Sequence, residues 1–496
     1  MAMAPSEEDD QPLHQPRPPR IQVIILGAGG GPLEDNTTAF LVRSIATGWK
    51  KGSMLAVDAG THLASIAKII EKHLPADTDA GPQRPLVLTS GPFKGLELPA
   101  VKASTNAGHI THTMIDTFLI THPHIDHISG FVVSTASGGG TRPKRLAGLP
   151  STIEAFKNHI FNNIIWPNLS DENNGAGLVT YMRMVDGGSP AIGTGGGKGY
   201  VELCDGLSVK TLSVSHGTCI ENHVHRGSNA GLEDSRGHSV ASQFPVLPRS
   251  NSASNLGPTD TPRLDNRKDA CVVESSAYFI RDVETGREVI IFGDVEPDSI
   301  SLSARNKNVW KEAAPKISSG KLGAILIECS YDDSRNEKDL YGHLAPRYLI
   351  EELKNLAAEL YMFNFQKENK KRKRLGNGHN PDGTRRRSSR ISLDRHSPIS
   401  PMTRPNLPGT RLSGESIGVQ MEESEVPPFD GTSISLRGRV DQPLKGLKIV
   451  IIHLKDTLND GPDLGTTILR ELCEYEEEAR LGCEFSIAKF GESVFV

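Results

Sequence analysis

No two cysteines in this chain stand at CxxC spacing, although it has six of them. Scattered in this way they read as reduced cytosolic thiols rather than as a disulfide frame. Cys271 and Cys329 lie near segments of interest but read as small buried apolar residues. No apolar run reaches the roughly 18 residues that a membrane span needs. Charge of one sign is also lacking: the net charge is −5 and the pI about 6.4, which argues against bulk nucleic-acid binding. The opening residues 1–10 are acidic and contain no apolar core, so they do not read as a secretory signal. The expected location is the cytoplasm, with the basic run Lys370–Arg374 as a candidate nuclear-import signal. No repeat of fixed period is visible.

The chain does have one dense cluster of donors. Thr121-His122-Pro123-His124-Ile125-Asp126-His127 gathers three imidazoles and one carboxylate directly after the apolar run Asp116–Thr121. Neutral nitrogen and anionic oxygen delivered together at a strand end suit zinc, and less selectively manganese or iron. On an extended backbone His122 and His124, two apart, point to one face. Asp126 and His127 follow where the chain is expected to turn, in reach of a second ion.

Elsewhere the pattern is strand alternating with helix. Ile21–Leu26 reads as a strand ending in Gly27–Gly31, and Asn36–Val42 as its hairpin-like partner. Pro32 in the third glycine position, with no helical pattern after it, excludes a dinucleotide-binding reading of the glycine run. Met54–Asp58 is a further strand before a helix over Leu63–His73. More strands are expected near 207–214, 276–281, 288–293, 323–328 and 447–452, with helices near 151–162, 345–361 and 464–480. Two polar stretches break the rhythm, 222–268 and 366–443. They cannot bury enough apolar area to offset their ordering entropy and are expected to be mobile insertions, as is the tail 1–20. By length the chain could hold two or three domains. Because recognisable segments run from Ile21 to Val496, one α/β domain over 21–496, interrupted by the two insertions, is expected.

The HxHxDH pattern resembles the signature of the metallo-β-lactamase superfamily. Its surroundings resemble one branch of it, the class II cyclic-nucleotide phosphodiesterases of fungi and some bacteria. Ile125 replaces that branch's leucine, Ile128-Ser129-Gly130 follows as its small-residue turn, and the wording around Asn162, Trp166-Pro167-Asn168-Leu169 also matches. The resemblance implies an α/β fold, the αββα sandwich of that superfamily. It implies a glycine-rich turn beside the site and an Asp58 that supports the metal loops without being a ligand. It also implies how a two-metal site is completed: His216 after the strand Val209–Ser215, a bridging Asp294 after Glu288–Gly293, and one more histidine. His343 and His453 compete for that last position, and from sequence alone either imidazole can serve. Analogy assigns His453 to metal and sets His343 beside Glu328, facing the substrate phosphate. The expected shell is then His122, His124 and His216 on one ion, Asp126, His127 and His453 on the other, and Asp294 between two divalent cations, zinc first. Asp126, His343 and Glu328 are the expected catalytic groups.

The activity implied is hydrolysis of 3′,5′-cyclic AMP, and with it cyclic GMP, to the 5′-monophosphate. A tRNA 3′-processing nuclease with the same shell is the first rival, and a non-catalytic scaffold the second. Trp166 is a candidate to cover the base or, equally, a core residue. His223 and His225 form a second HxH pair inside the first insertion and are read as solvent-exposed. Arg385–Ser389 fits the rule of the cyclic-AMP-activated kinase, making Ser388 or Ser389 a candidate phosphorylation site. No membrane or nucleic-acid partner is expected, and an oligomer is left open.

Overall fold

The computed structural model describes residues 18–75, 85–136, 142–220, 270–376 and 441–496. The chain divides into one compact unit of Met1–Gln366 with Asp441–Val496, and a second of Lys367–Val440. In the first unit the strands are β1 (Ile21–Gly27), β2 (Ala39–Ser44) and β3 (Met54–Ala59), followed by a small two-stranded ribbon of β4 (Leu86–Val87) and β5 (Glu97–Leu98). Then come β6 (Ile115–Leu119), β7 (Lys144–Gly148), β8 (Val179–Arg183), β9 (Val201–Cys204), β10 (Leu207–Ile220), β11 (Ala270–Asp282) and β12 (Glu288–Phe292). The last are β13 (Leu322–Glu328), β14 (Lys448–Ile452), β15 (Glu484–Ile487) and β16 (Ser493–Phe495). They form two large sheets, ordered β16-β1-β2-β3-β6-β7-β8 and β15-β14-β13-β12-β11-β10-β9.

The sheets stack because their strands are apolar on both faces, as doubly covered strands must be. Along β1, Ile21, Val23 and Ile25 enter a buried layer shared with Tyr278, Ile280, Ile291, Leu326 and Val450 of the other sheet. The alternate residues Ile24 and Leu26 face a second layer with Ile66, Ile69 and Ile70, which lie on helix α1 (Leu63–His73). Each such isoleucine contributes about 1.5–3 kcal/mol by leaving water. Over the other sheet, a third layer joins Val309, Trp310, Leu353, Leu356 and Ile468. Those residues belong to α5 (Asn306–Ser318), α6 (Pro346–Gly376) and α7 (Leu464–Ala479), numbered after α2 (Ala103–His109), α3 (Ile125–Thr135) and α4 (Pro150–Ala155). The result is an αββα sandwich, the layering that the resemblance implies. Among the described residues no helix is long and apolar enough to cross a membrane.

Three expectations change. Ile125–Gly130 is not a turn: it opens α3, with His124 in extended conformation at its N-cap, so Asp126 sits in the first helical turn, where the helix dipole favours an anion. The helix expected over 151–162 is α4, which passes into a wide-turn segment at Phe156–Ile160. Helix α6 carries on to Gly376, so Lys370–Arg374 is helical and the stretch expected to begin at 366 opens as helix rather than loop. The insertion 222–268 lies outside the described residues, as do His223, His225, Ser388, Ser389 and residues 1–17 of the tail.

Candidate metal centre

Strand direction brings the candidate residues together. β6 runs parallel to β3, and β12, β13 and β14 run parallel to one another. Their carboxyl ends therefore point the same way, and ligands of α/β sheets gather at such ends. Asp58 closes β3, His122 follows β6, Asp294 follows β12, Glu328 closes β13 and His453 follows β14. His216 arrives from β10, whose pairing with β11 slips between Ser215 and Thr218. Such a bulge re-aims a side chain at a sheet rim.

Three donor groups share the Asp294 carboxylate, the smallest being Asp294, Glu328 and His343; the other two are the expected ones. His122, His124, His216 and Asp294 offer donor atoms all within 4.8 Å of one another, as do Asp126, His127, His453 and Asp294. From Asp294, Oδ2 lies 3.6 Å from His122 Nε2 and 3.5 Å from His216 Nε2. The same oxygen is 3.2 Å from His453 Nε2, while Oδ1 is 3.1 Å from His127 Nε2. Asp126 Oδ2 closes the second group at 3.7 Å from His453 Nε2 and 3.9 Å from His127 Nε2.

The imidazoles are oriented from behind. His127 Nδ1 is 2.8 Å from Asp58 Oδ2, and the same carboxylate accepts from the Thr121 amide and hydroxyl, each at 2.8 Å. His216 Nδ1 donates to the Gly342 carbonyl at 2.8 Å. His453 Nδ1 lies 2.7 Å from the Thr38 hydroxyl, which itself donates to Gly29 O at 3.1 Å. With that hydroxyl proton committed, His453 carries its own proton on Nδ1 and aims a lone pair from Nε2. Partners on Nδ1 fix tautomer and ring direction in metal-binding histidines. Asp58 and His453 take φ of 51° and 59°, a left-handed conformation that costs energy in a non-glycine residue and persists only where the surroundings hold it.

A simple test of fit is whether these donors are otherwise satisfied. His122 Nε2, His127 Nε2, His453 Nε2 and Asp294 Oδ1 are buried and make no well-aligned hydrogen bond among the described residues, although His127 Nε2 and Asp294 Oδ1 approach to 3.1 Å. Unsatisfied buried polar atoms are costly, and here several converge on one space, so the residues fit a cation. Protonation states agree. Burial pushes His122 well below its ordinary range and His216 down to about 4. Burial also lowers His124 and His453, leaving neutral nitrogen donors. Burial alone would raise Asp294, but His453, His127 and His122 hold it well below the usual carboxylate range. His127 is the exception: burial opposes its charge, yet Asp294 and Asp58 outweigh that and raise it well above normal. In a cation-free pocket it holds the positive charge the carboxylates demand, and metal binding releases that proton.

His343 is arranged differently. Its Nδ1 is 2.8 Å from Glu328 Oε1 and 3.9 Å from Asp294 Oδ2, and its ring stacks on His453 at 5.3 Å. Glu328 is fully buried, and its carboxylate also accepts from the Val295 amide at 3.0 Å and the Ser330 hydroxyl at 2.6 Å. Burial would raise Glu328, but neighbouring His343 holds it below normal; Glu328 in turn lifts His343 above normal against burial. Glu328 thus favours the protonated form of His343 and fixes its ring through Nδ1.

The structure thus brings together every candidate metal and catalytic residue named from the sequence. Trp166 is half-buried and packs against the core beneath the first sheet. The supports Thr38, Ser330 and Gly342 went unread. Gly342 offers only a carbonyl, brought close because Tyr341 and Gly342 have φ of 51° and 81°. Its sequence signal, a glycine directly before His343, is weak.

The chain is similar to known proteins. The model of the class-II cAMP phosphodiesterases matches residues 21–369 and 433–491. A 3′,5′-cyclic-nucleotide phosphodiesterase of Schizosaccharomyces pombe is 29% identical over 329 residues, spanning 66% of this chain and 72% of that protein. A protein of the same name from Candida albicans is 24% identical, spanning 96% of this chain and 99% of its own length. The crystal structure of unliganded yeast PDE1 has the same fold, with a TM-score of 0.59, 21% identity and coverage of 96% of this chain and 100% of that one. Since the family match spans most of its length, the chain belongs to the class-II cAMP phosphodiesterase family of enzymes.

Proposed function

We propose that this chain hydrolyses the 3′,5′-cyclic phosphodiester of cyclic AMP, and of cyclic GMP, to the nucleoside 5′-monophosphate, using two divalent cations with zinc as first choice. The observation that carries this is the pair of donor groups sharing Asp294, with the His343–Glu328 pair beside them. His122, His124, His216 and Asp294 would hold one cation; Asp126, His127, His453 and Asp294 would hold the other. Such cations, when bound, draw charge from phosphate oxygens and make water nucleophilic at neutral pH.

The chain's own residues supply the rest. Asp126, partly open to solvent, orients the attacking water as well as its cation. Buried Glu328 keeps His343 protonated and fixed in direction, so that His343 gives its Nε2 proton to the leaving O3′. Phosphorus gains the water oxygen and loses O3′, and the product is a 5′-phosphate with a free 3′-hydroxyl. Thr38, Asp58 and the Gly342 carbonyl keep the imidazoles aimed.

The test is an assay of metal-quantified protein on cyclic AMP, cyclic GMP and a precursor tRNA, alongside His124→Ala and Asp294→Ala. Release of 5′-monophosphate by the wild type, absent from both variants, is expected. Cleavage of the tRNA without turnover of either cyclic nucleotide would sink the reading.

A further inference from the structure

Directly after His453 the chain is laced to the glycine loop after β1. Gly30 N donates to Leu454 O at 2.8 Å and Asp456 N to Gly31 O at 3.0 Å. Lys455 Nζ donates to the Gly30 carbonyl at 3.0 Å. A Cβ on Gly30 would fall 2.5 Å from His453 Nε2, so only bare backbone can form this wall beside the metal-facing imidazole.

The wall borders a cavity of about 440 Å³, which Tyr331 and Arg335 also line. That volume lies within the range of small-molecule sites. The Tyr331 ring meets the His343 ring nearly edge-on, with centroids 5.9 Å apart. The exposed Arg335 guanidinium carbon lies 4.5 Å from the Tyr331 ring centroid, within cation–π range. The cavity therefore lies one residue away from each imidazole, with Gly30 backing on His453 and Tyr331 on His343, and it reaches a cation held over an aromatic ring. Lys455 is near enough to Asp126 and His343 to act on their charges.

We infer that this cavity is the nucleoside subsite, in which the base stacks on Arg335 while the sugar lies along Gly30, Gly31 and Lys455. This rests on the proposed cyclic-nucleotide chemistry. With the phosphate at the shared carboxylate, the nucleoside has to extend away from it, and this cavity is walled by Gly30 and Tyr331, which neighbour the two imidazoles. A guanidinium plane stacks on any nucleobase, and the Tyr331 ring holds that of Arg335 in place from one side. Tyr331 itself is buried, so Arg335 is the group that meets the base, and its loss should act on binding.

The experiment titrates AMP and ribose 5-phosphate into full-length, metal-loaded wild type, Arg335→Ala and Arg335→Lys by calorimetry, and measures KM for cyclic AMP in parallel. Arg335→Ala should weaken AMP about tenfold, the size of one base-stacking contact, and raise KM by a similar factor. Ribose 5-phosphate should be weakened far less. Arg335→Lys keeps the charge but lacks the plane, and should resemble Arg335→Ala. AMP affinities equal within about twofold in all three proteins would overturn the subsite, as would a wild type that binds AMP no better than ribose 5-phosphate. If the wild type released no 5′-monophosphate, the functional reading would fail, yet a tenfold loss of AMP affinity in Arg335→Ala would still uphold the subsite.

Discussion

The two sheets build their shares of the metal centre in opposite ways. The first sheet delivers His122, His124, Asp126 and His127 from a single strand end running into the first turn of α3. The second delivers Asp294 and His453 from just past the ends of β12 and β14, and His216 from a bulge within β10, which runs on beyond the end expected at His216 to Ile220; the three are far apart in the chain. A short run of ligands needs only local backbone geometry to converge, whereas dispersed ligands converge only when the whole sheet has formed. The first share is therefore a property of one loop and the second a property of the fold. Asp294 joins them, because its carboxylate belongs to both donor groups.

The largest expected effect comes from breaking that junction. Asp294→Asn should lower kcat/KM for cyclic AMP by more than about 10³-fold, beyond the loss of a single oxyanion donor, and should cut bound metal at both positions. His216→Ala and His453→Ala should each weaken one position only. Metal per chain by atomic emission, read beside turnover, distinguishes these patterns. An Asp294→Asn protein that retained two tightly bound metals would remove Asp294 from its shared role.

His343 sharpens the comparison, because it comes from the second sheet's side yet is tied to Glu328 rather than to the donor groups' unsatisfied nitrogens. His343→Ala should reduce kcat by about 10²–10⁴-fold, the range of general acid–base catalysis, with metal content unchanged. Loss of one metal equivalent in step with activity would instead make His343 the ligand, in place of His453.

The contrast also governs how much was legible in the sequence. The HxHxDH run declared itself by composition and spacing, and the apolar strands before His216, Asp294 and His453 marked them as strand-end residues. The division between His343 and His453 was not legible, because both are single histidines near strand or helix ends. It depends on which nitrogen each ring turns to Asp294: His453 presents Nε2 at 3.2 Å, with Thr38 behind its Nδ1, whereas His343 approaches only with the Nδ1 that Glu328 holds, at 3.9 Å. Thr38 is some four hundred positions away from His453 in the chain, and no local pattern reports that meeting. The helical start of α3 was misread as a turn because Ser129-Gly130 suggests a break. Gly130 is there for another reason: a Cβ would come within 2.8 Å of Ala59 O, so α3 can pack closely on the end of β3.

Each sheet also has a support that can be removed without touching a metal-facing atom. Asp58→Asn takes the charge from behind His127 and weakens the hold on Thr121. Gly342→Ala strikes the second sheet, since its φ of 81° is disfavoured for alanine and the added Cβ would fall 2.6 Å from Gly217 N. Both should cost about 10–100-fold in metal affinity or activity, as outer supports of metal ligands typically do. The two should differ in which position is weakened: the one bearing His127 for Asp58→Asn, and the one bearing His216 for Gly342→Ala. Stepwise metal titration with a chromophoric chelator resolves the two sites, and identical profiles would argue that the supports are not separate.

The smallest effect concerns the first sheet alone and lies off the metal centre. His62 is buried before α1, edge-on to Phe118 at 5.2 Å, with its Nε2 3.2 Å from the Thr111 hydroxyl. Burial, then Lys144 and His112, lower it to about 3 from 6.5. Below pH 6.5 the unfolded chain takes up a proton that the folded chain refuses until near pH 3, so protonation favours unfolding throughout that window. Acid also titrates His122 and His216, so the comparison with His62→Gln at equal metal loading isolates this group. Between pH 6.5 and 5.5 the wild type should lose about 1 kcal/mol more unfolding free energy than His62→Gln in urea melts, and above pH 7.5 the two curves should run parallel. Parallel curves across the acid range as well would mean that His62 accepts its proton without leaving the folded state, and that acid sensitivity belongs to the metal-facing imidazoles alone.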